Sequence, residues 1–252
     1  MRSDAPPSRD SDVPSIDSTM NPALASHVPE SRFGVWFLGT ETWIQHVLER
    51  ALDNLETLIP ARRTSYPVVV DVGCGWGHSF QRLQQRFAPE RLIGVDVAPE
   101  MLAASVETAM RAGLDVELLL GNDRRLPLPD QSADLLLCHQ TFHHLVHQHE
   151  ALAEFHRVLK PGGVLLFSES TRRYIHSWII RLLFRHPMDV QRTAPEYLAM
   201  IRDSGFEVAP SAVSYPFLWW SRPDLGIVER LFGRKPSATR EETLINVVGL
   251  RR

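Results

Sequence analysis

Apolar residues recur at three- and four-residue spacing through Ile44, Val47, Leu48, Ala51, Leu55 and Leu58, and this period predicts a helix that Pro60 ends. The pattern then changes. Val68-Val69-Val70-Asp71-Val72 is a β-branched run suited to a strand buried on both faces of a parallel sheet. A glycine-rich turn follows, and Phe80, Leu83 and Phe87 mark one face of the next helix. The unit repeats. Leu92-Ile93-Gly94-Val95-Asp96-Val97 reads as a second strand. Residues 99–112 read as a helix, with Pro99 in its first turn and Gly113 capping its end. Residues 116–120, 133–138 and 164–168 read as further strands, with a helix over 150–159 and a Pro161-Gly162-Gly163 turn before the last.

Alternating strands and helices imply a parallel sheet with right-handed crossovers, hence an α/β fold. Thr193-Ala194-Pro195-Glu196 has the form of a capping box opening a helix to about Asp203. Residues 206–208 and 244–250 could supply the last two strands. Residues 1–31 are rich in Ser, Pro and Asp and are expected to form a disordered tail. Residues 32–252 are then read as a single domain.

Composition narrows the function. The chain has 252 residues, 44% hydrophobic and 23% charged, with a formal net charge of −3. That balance lacks the basic footprint of a general nucleic-acid binder. Cys74 and Cys138 are the only cysteines, too few for a disulfide framework, so a cytoplasmic setting is expected. No apolar run of membrane-spanning length and no signal-peptide pattern is visible.

The chemistry concentrates at Asp71-Val72-Gly73-Cys74-Gly75-Trp76-Gly77, which follows a strand and opens a helix. Glycines there let backbone N–H groups approach a ligand closely. Asp96 ends the next strand, where a carboxylate can accept two ribose hydroxyls. The turn departs from the dinucleotide pattern G-x-G-x-x-G, and Asp71 would repel a pyrophosphate. An ammonium-bearing ligand with a ribose, such as S-adenosylmethionine (SAM), suits both acids.

With these residues in place, the chain resembles the type 11 subfamily of class I SAM-dependent methyltransferases, over roughly 66–170 and loosely to Val208. Four blocks match in order: 70–77, 94–101, 121–129 with Asp134, and 159–164. The resemblance implies a doubly wound, seven-stranded, mostly parallel sheet of Rossmann-like type, with cap insertions at about 171–190 and 214–240. It implies SAM as cofactor, with Gly73, Cys74 and Gly75 along the methionine moiety, Gly77 in the same turn, and Asp71 near the ammonium group. Asp96 would hold the ribose, and Val97 and Met101 would flank the adenine. Related proteins carry Gly-Asp-Ala after the third strand. Here the stretch is Gly121-Asn122-Asp123, so Asn122 or Asp123 would contact the adenine amino group. His139 and Gln140 follow the fourth strand and should face the methyl donor.

His139, His143, His144, His147 and His149 fall close together. His139, His143 or His144 could serve as a general base. The alternative is a loop and helix start whose histidines are satisfied structurally. His143 and His147 could share a helical face, but no H-E-x-x-H motif accompanies them and no metal is expected. The apolar stretches 172–186 and 215–220 could line a pocket for a small apolar acceptor, quinone-, polyketide- or lipid-like, methylated at carbon or oxygen. The basic stretch 172–186 could also lie on a membrane surface. A SAM-binding protein without turnover, an RNA or protein methyltransferase, and a nicotinamide oxidoreductase are the competing readings.

Overall fold

A computed structural model describes residues 30–121, 124–222, 231, 233 and 240–252. Residues 1–29 of the tail expected over 1–31, Asn122 and Asp123, and most of the second cap insertion lie outside the described residues, whereas Ser31 caps α1 and is not part of a disordered tail. The strands are β1 (Val68–Val72), β2 (Arg91–Asp96), β3 (Val116–Leu120), β4 (Ala133–His139), β5 (Leu159–Ser170), β6 (Phe206–Glu207), β7 (Val213–Ser214) and β8 (Leu244–Arg251). The helices are α1 (Arg32–Leu38), α2 (Glu41–Trp43), α3 (Glu49–Leu58), α4 (Phe80–Phe87), α5 (Pro99–Ala112), α6 (Gln148–Val158), α7 (Arg172–Ile175), α8 (Trp178–Leu183) and α9 (Ala194–Asp203). None of the described helices is long and apolar enough to cross a membrane.

The sheet order is β3-β2-β1-β4-β5-β8-β6, with β7 pairing off this path onto β8. β1 through β5 run parallel, and β8 runs antiparallel to β5. The chain leaves β1 towards β2 and β3, then returns to place β4 on the other side of β1. That reversal opens a crevice beyond the carboxyl ends of β1 and β4, where open α/β sheets bind ligands. Val72 pairs with both Val95 and Cys138, so the ends of β1, β2 and β4 are level.

Alternation along β1 divides the core between the two faces of the sheet. Val70 and Val72 pack into a cluster with Leu152, Phe155 and Tyr197 of α6 and α9. Val69 packs on the other face with Leu52 and Leu55 of α3 and Leu83 and Phe87 of α4. Arg86 of α4 ties α3 in place through Glu49, Asp53 and Glu56, at 2.7, 2.7 and 2.8 Å. The capping box at α9 is complete: Glu196 Oε2 accepts from the Thr193 N–H at 2.7 Å, and Thr193 Oγ1 accepts from the Glu196 N–H at 3.4 Å.

Three local expectations change. The sheet has eight strands among the described residues, because the two-residue β7 adds to β8. The glycine turn at 161–163 belongs to β5: Leu159 pairs with Ala133 and Val164 with Leu135, so the extra residues bulge out of the ladder. The first long helix is interrupted by a π turn over Ile44–Leu48. The wider turn shifts the phase of the buried face, so that Trp43 and Leu48 reach the ligand cavity while Leu52 and Leu55 stay in the core.

Candidate functional site

The β1–α4 turn is a backbone cradle with left-handed glycines at Gly73, Gly75 and Gly77. The Gly73 and Cys74 N–H groups donate to the Val95 carbonyl at 2.8 and 3.2 Å, which lashes the turn to β2. The Gly75 N–H donates to Asp96 Oδ2 at 2.8 Å, and the Ala98 N–H to Asp96 Oδ1 at 3.0 Å. Gly75 has φ +51°, and a Cβ there would meet nothing within 4 Å: its open side is ligand space. Gly77, at φ +73°, differs. A Cβ there would come 2.4 Å from the Phe80 ring, and Gly77 does not line the cavity. It is a packing glycine under α4.

Around the cradle lies a cavity of about 340 Å³, lined by Asp71, Gly73, Cys74, Gly75, Asp96, Val97, Met101, His139 and Gln140 among others. Glu30, Val35, Leu38 and Trp43 close it from the amino-terminal side, and Leu126, His144 and Leu145 from the other. Its lining holds four carboxylates (Glu30, Asp71, Asp96 and Glu100) and, among the described residues, no lysine or arginine. Burial pushes the Asp71 carboxyl up to about 7, opposed by the Ser79 hydroxyl that hydrogen-bonds it and reinforced by Asp96. This donor set repels phosphate and suits a ligand with cationic groups and hydroxyls. The cavity therefore fits SAM and does not fit a dinucleotide. Burial and the two nearby acids hold the Cys74 thiol protonated.

A second cavity of about 320 Å³ adjoins the first, and the two share His139 and Gln140. Its lining combines apolar residues, Val47, Ala51, Pro216, Leu218, Trp220 and Leu244 among them, with the polar Arg50, Asn54, Ser168 and Asn246. Asn54 Oδ1 accepts from Asn246 Nδ2 at 2.7 Å and from the Ser214 hydroxyl. At the shared wall Gln140 has φ +51°, an unusual backbone for a side-chain-bearing residue. Two contacts hold it: its N–H donates to the Ser168 carbonyl at 2.9 Å, and its Oε1 accepts from the Ser170 hydroxyl at 2.6 Å. His139 is buried, with Trp43 edge-on at 5.5 Å, and its Nε2 has no hydrogen-bond partner. Burial, then the nearby His143, drives its pKa down to about 3, so it is neutral and a weak base.

The histidines after β4 are arranged otherwise than their spacing suggests. His143 lies in a 3-10 turn (Phe142–His144), and His147 is the residue preceding α6, so the two do not share a helical face. His143 is buried, and its Nδ1 lies 2.5 Å from Oε2 of the fully buried Glu169. Glu169 Oε1 accepts from the Thr141 and Phe142 N–H groups at 2.8 and 2.6 Å. His186, from the cap, joins His143 and His144 in a group whose ligand atoms all lie within 4.8 Å of one another. Burial, then His143, lowers the His186 pKa to about 3.

Sequence reasoning missed Glu30, Trp43, Glu169 and His186. Glu169 carried a signal, as an acid within an otherwise buried strand. The others carried none, since only packing brings them to the site. Of the two apolar stretches, 215–220 reaches the second cavity, whereas no residue of 172–186 lines either one. Phe184 instead packs edge-on against Phe33 and Phe37 at 5.5 and 6.0 Å, and Trp178 and Leu182 are exposed.

The fold and this acid-lined cradle define a doubly wound α/β domain built for a cationic, ribose-bearing ligand. Residues 70–167 match the type 11 family model described as a methyltransferase domain. It is 39% identical over 101 residues to a malonyl-[acyl-carrier protein] O-methyltransferase of Yersinia pestis, covering 40% of this chain and 36% of that one. It is 33% identical over 120 residues to a demethylmenaquinone methyltransferase of Deinococcus radiodurans, covering 47% of this chain and 50% of that one. The chain thus spans half or less of the length of these two relatives. A SAM dependent methyltransferase from Aquifex aeolicus shares the fold with a TM-score of 0.61, at 20% identity, over 87% of this chain and 97% of that one. The [4+2]-cyclase SpnF shares it too, with a TM-score of 0.59, at 20% identity, over 81% of this chain and 80% of that one. The fold alone therefore leaves the reaction open.

Proposed function

We propose that the protein transfers a methyl group from SAM to a small, largely apolar acceptor held in the second cavity. The observation that carries this reading is the wall shared by the two cavities, His139 and Gln140 at the carboxyl end of β4. Cofactor on one side and acceptor on the other would meet there.

When bound, SAM supplies a methyl group already activated by its positive sulfur, so the chain's task is alignment. Asp71 and Asp96 would hold the ammonium group and the ribose. Val97 and Met101 would flank the adenine. His139 stays neutral and lends a dry, polar edge where donor and acceptor meet. The apolar residues of the second cavity favour a ring or chain, and Arg50, Asn54 and Asn246 favour an oxygen-bearing head. The relatives' names specify malonyl-[acyl-carrier protein], which bears a carboxylate, and demethylmenaquinone, a quinone, and both support an oxygen-bearing acceptor rather than a nucleic acid.

Calorimetry with SAM and with S-adenosylhomocysteine tests the cofactor, and an acceptor screen of phenols, quinols and carboxylic acids tests the rest. Micromolar binding with methyl transfer to at least one acceptor is expected. Absence of binding by either adenosyl compound overturns the reading, and binding without turnover on any acceptor points to a SAM-binding protein instead.

A further inference from the structure

The proposed reaction leaves the histidines at the roof of the cofactor cavity unused. His143 and His144 follow β4, and His186 follows α8, so the cluster joins two distant stretches of chain. Their ring centroids are 4.3, 5.0 and 4.8 Å apart. One ligand nitrogen of each lies within 4.8 Å of the others. Two carboxylates frame them. Glu169 takes Nδ1 of His143 at 2.5 Å, which leaves Nε2 as the nitrogen of that ring open to a ligand. Glu30 offers the second. Its Oε1 accepts from the Ser31 and Arg185 N–H groups at 2.6 and 2.9 Å. That fixes the carboxylate with Oε2 at 3.8 Å from His144 Nε2.

We propose that His143, His144, His186 and Glu30 form a binding site for a divalent transition-metal ion of the zinc type. Three imidazoles and one carboxylate are a suitable four-coordinate set for such an ion. Zinc–nitrogen bonds of about 2.0 Å in a tetrahedron put ligand atoms about 3.3 Å apart, so the nitrogens need to draw in by at most about 1.5 Å. Glu30 Oε2 stands 3.8 Å from His144 Nε2 and would swing in towards the three nitrogens to complete the set. Glu169 completes the arrangement as a positioning residue: a carboxylate on the far nitrogen of a metal-bound histidine sets its tautomer and orientation. The ion would act as a clip. It fastens the end of the α8 cap and the start of α1 to the loop after β4. His144 and Glu30 also line the cofactor cavity, so the ion would close its roof. This last consequence, coupling to the cofactor, rests on the function proposed above. The ion site does not.

The test uses the full chain, treated with a chelator and titrated with Zn²⁺ by calorimetry in the absence of SAM. One equivalent is expected to bind, with a rise in Tm. Co²⁺ in its place should give the intense visible bands of a four-coordinate ion. His186→Ala should weaken Zn²⁺ binding by about 10-fold or more, and Glu169→Gln by about 10-fold. If His186→Ala does not fold, His186→Gln keeps the side-chain volume, and Glu30→Gln probes the fourth ligand with little change in shape. Equal Zn²⁺ affinity in the unsubstituted protein and the His186 and Glu30 variants overturns the site, as does a pale six-coordinate cobalt spectrum. SAM calorimetry on the chelated protein separates the two ideas. Zinc binding without SAM binding leaves the clip standing and sinks the methyltransferase reading, and the converse sinks the clip alone.

Discussion

The Asp96 carboxylate accepts the Gly75 N–H at 2.8 Å, which joins the end of β2 to the open glycine of the β1–α4 turn. One acid thus organises the cradle and faces the ligand space. Asp96→Ala removes both roles. Hydrogen bonds to a charged group contribute about 1.5–3 kcal/mol, so SAM affinity should fall about 10-fold or more. Calorimetry reads this directly, and an unchanged affinity would take Asp96 out of the site.

The glycines of the turn separate under substitution. Gly77→Ala puts a Cβ 2.4 Å from the Phe80 ring at φ +73°, so it should cost about 2 kcal/mol of stability or more in urea unfolding. Gly75→Ala meets no protein atom, so it should cost about 1 kcal/mol for its left-handed backbone and yet abolish SAM binding. If Gly75→Ala binds SAM normally, its open side is not cofactor space.

Asp71 makes SAM affinity depend on pH. Its pKa is raised from 3.8 to about 7, chiefly by burial. A raised carboxyl means that the ligand-free fold gains stability from protonated Asp71 below pH 3.8 and loses that gain as the pH rises through about 7. A cationic ligand needs the ionised form. Affinity should therefore weaken as the pH falls below about 7, and binding near that pH should release a proton. Calorimetry in two buffers of different ionisation heat detects the release, and Asp71→Asn should abolish it.

His139 acts on acid stability with the opposite sign. Burial lowers its pKa from 6.5 to about 3, so across that interval the unfolded chain binds the proton that the fold excludes. Stability should then fall as the pH drops from 6.5 towards 3. His139→Asn should flatten that part of the Tm–pH curve. An unaltered curve would show that His139 is solvated.

Leu218 lines the second cavity and not the first. Leu218→Ala should raise the acceptor KM by about 10-fold while leaving SAM affinity unchanged. An unchanged KM would move the acceptor out of this cavity.

Much of the fold was legible because its signals are local. The β-branched run at β1, the left-handed cap at Gly113 and the Thr193–Glu196 capping box all depend on neighbours within a few residues, and each appears in the structure. So do Asp71, Gly75 and Asp96, because a βαβ unit brings the ends of adjacent strands together wherever it occurs. The errors came where a local pattern had two outcomes. The glycines at 162 and 163 could end a strand or bulge it, and pairing with β4 chose the bulge. Gly77 could face a ligand or a ring, and the seating of Phe80 chose the ring.

What the sequence determined by itself was the alternation of strands and helices from residue 68 to 170, the glycine cradle and its two acids. Their physics is periodicity, backbone freedom and charge over short stretches of chain. Tertiary structure alone decided that Glu30 and His186 stand beside His143 and His144, that Glu169 lies against His143, and that two cavities share His139 and Gln140. These contacts join residues far apart in the chain. Their distances follow from how the cap and the amino-terminal helices pack over the sheet, a property of the whole core rather than of any segment within it.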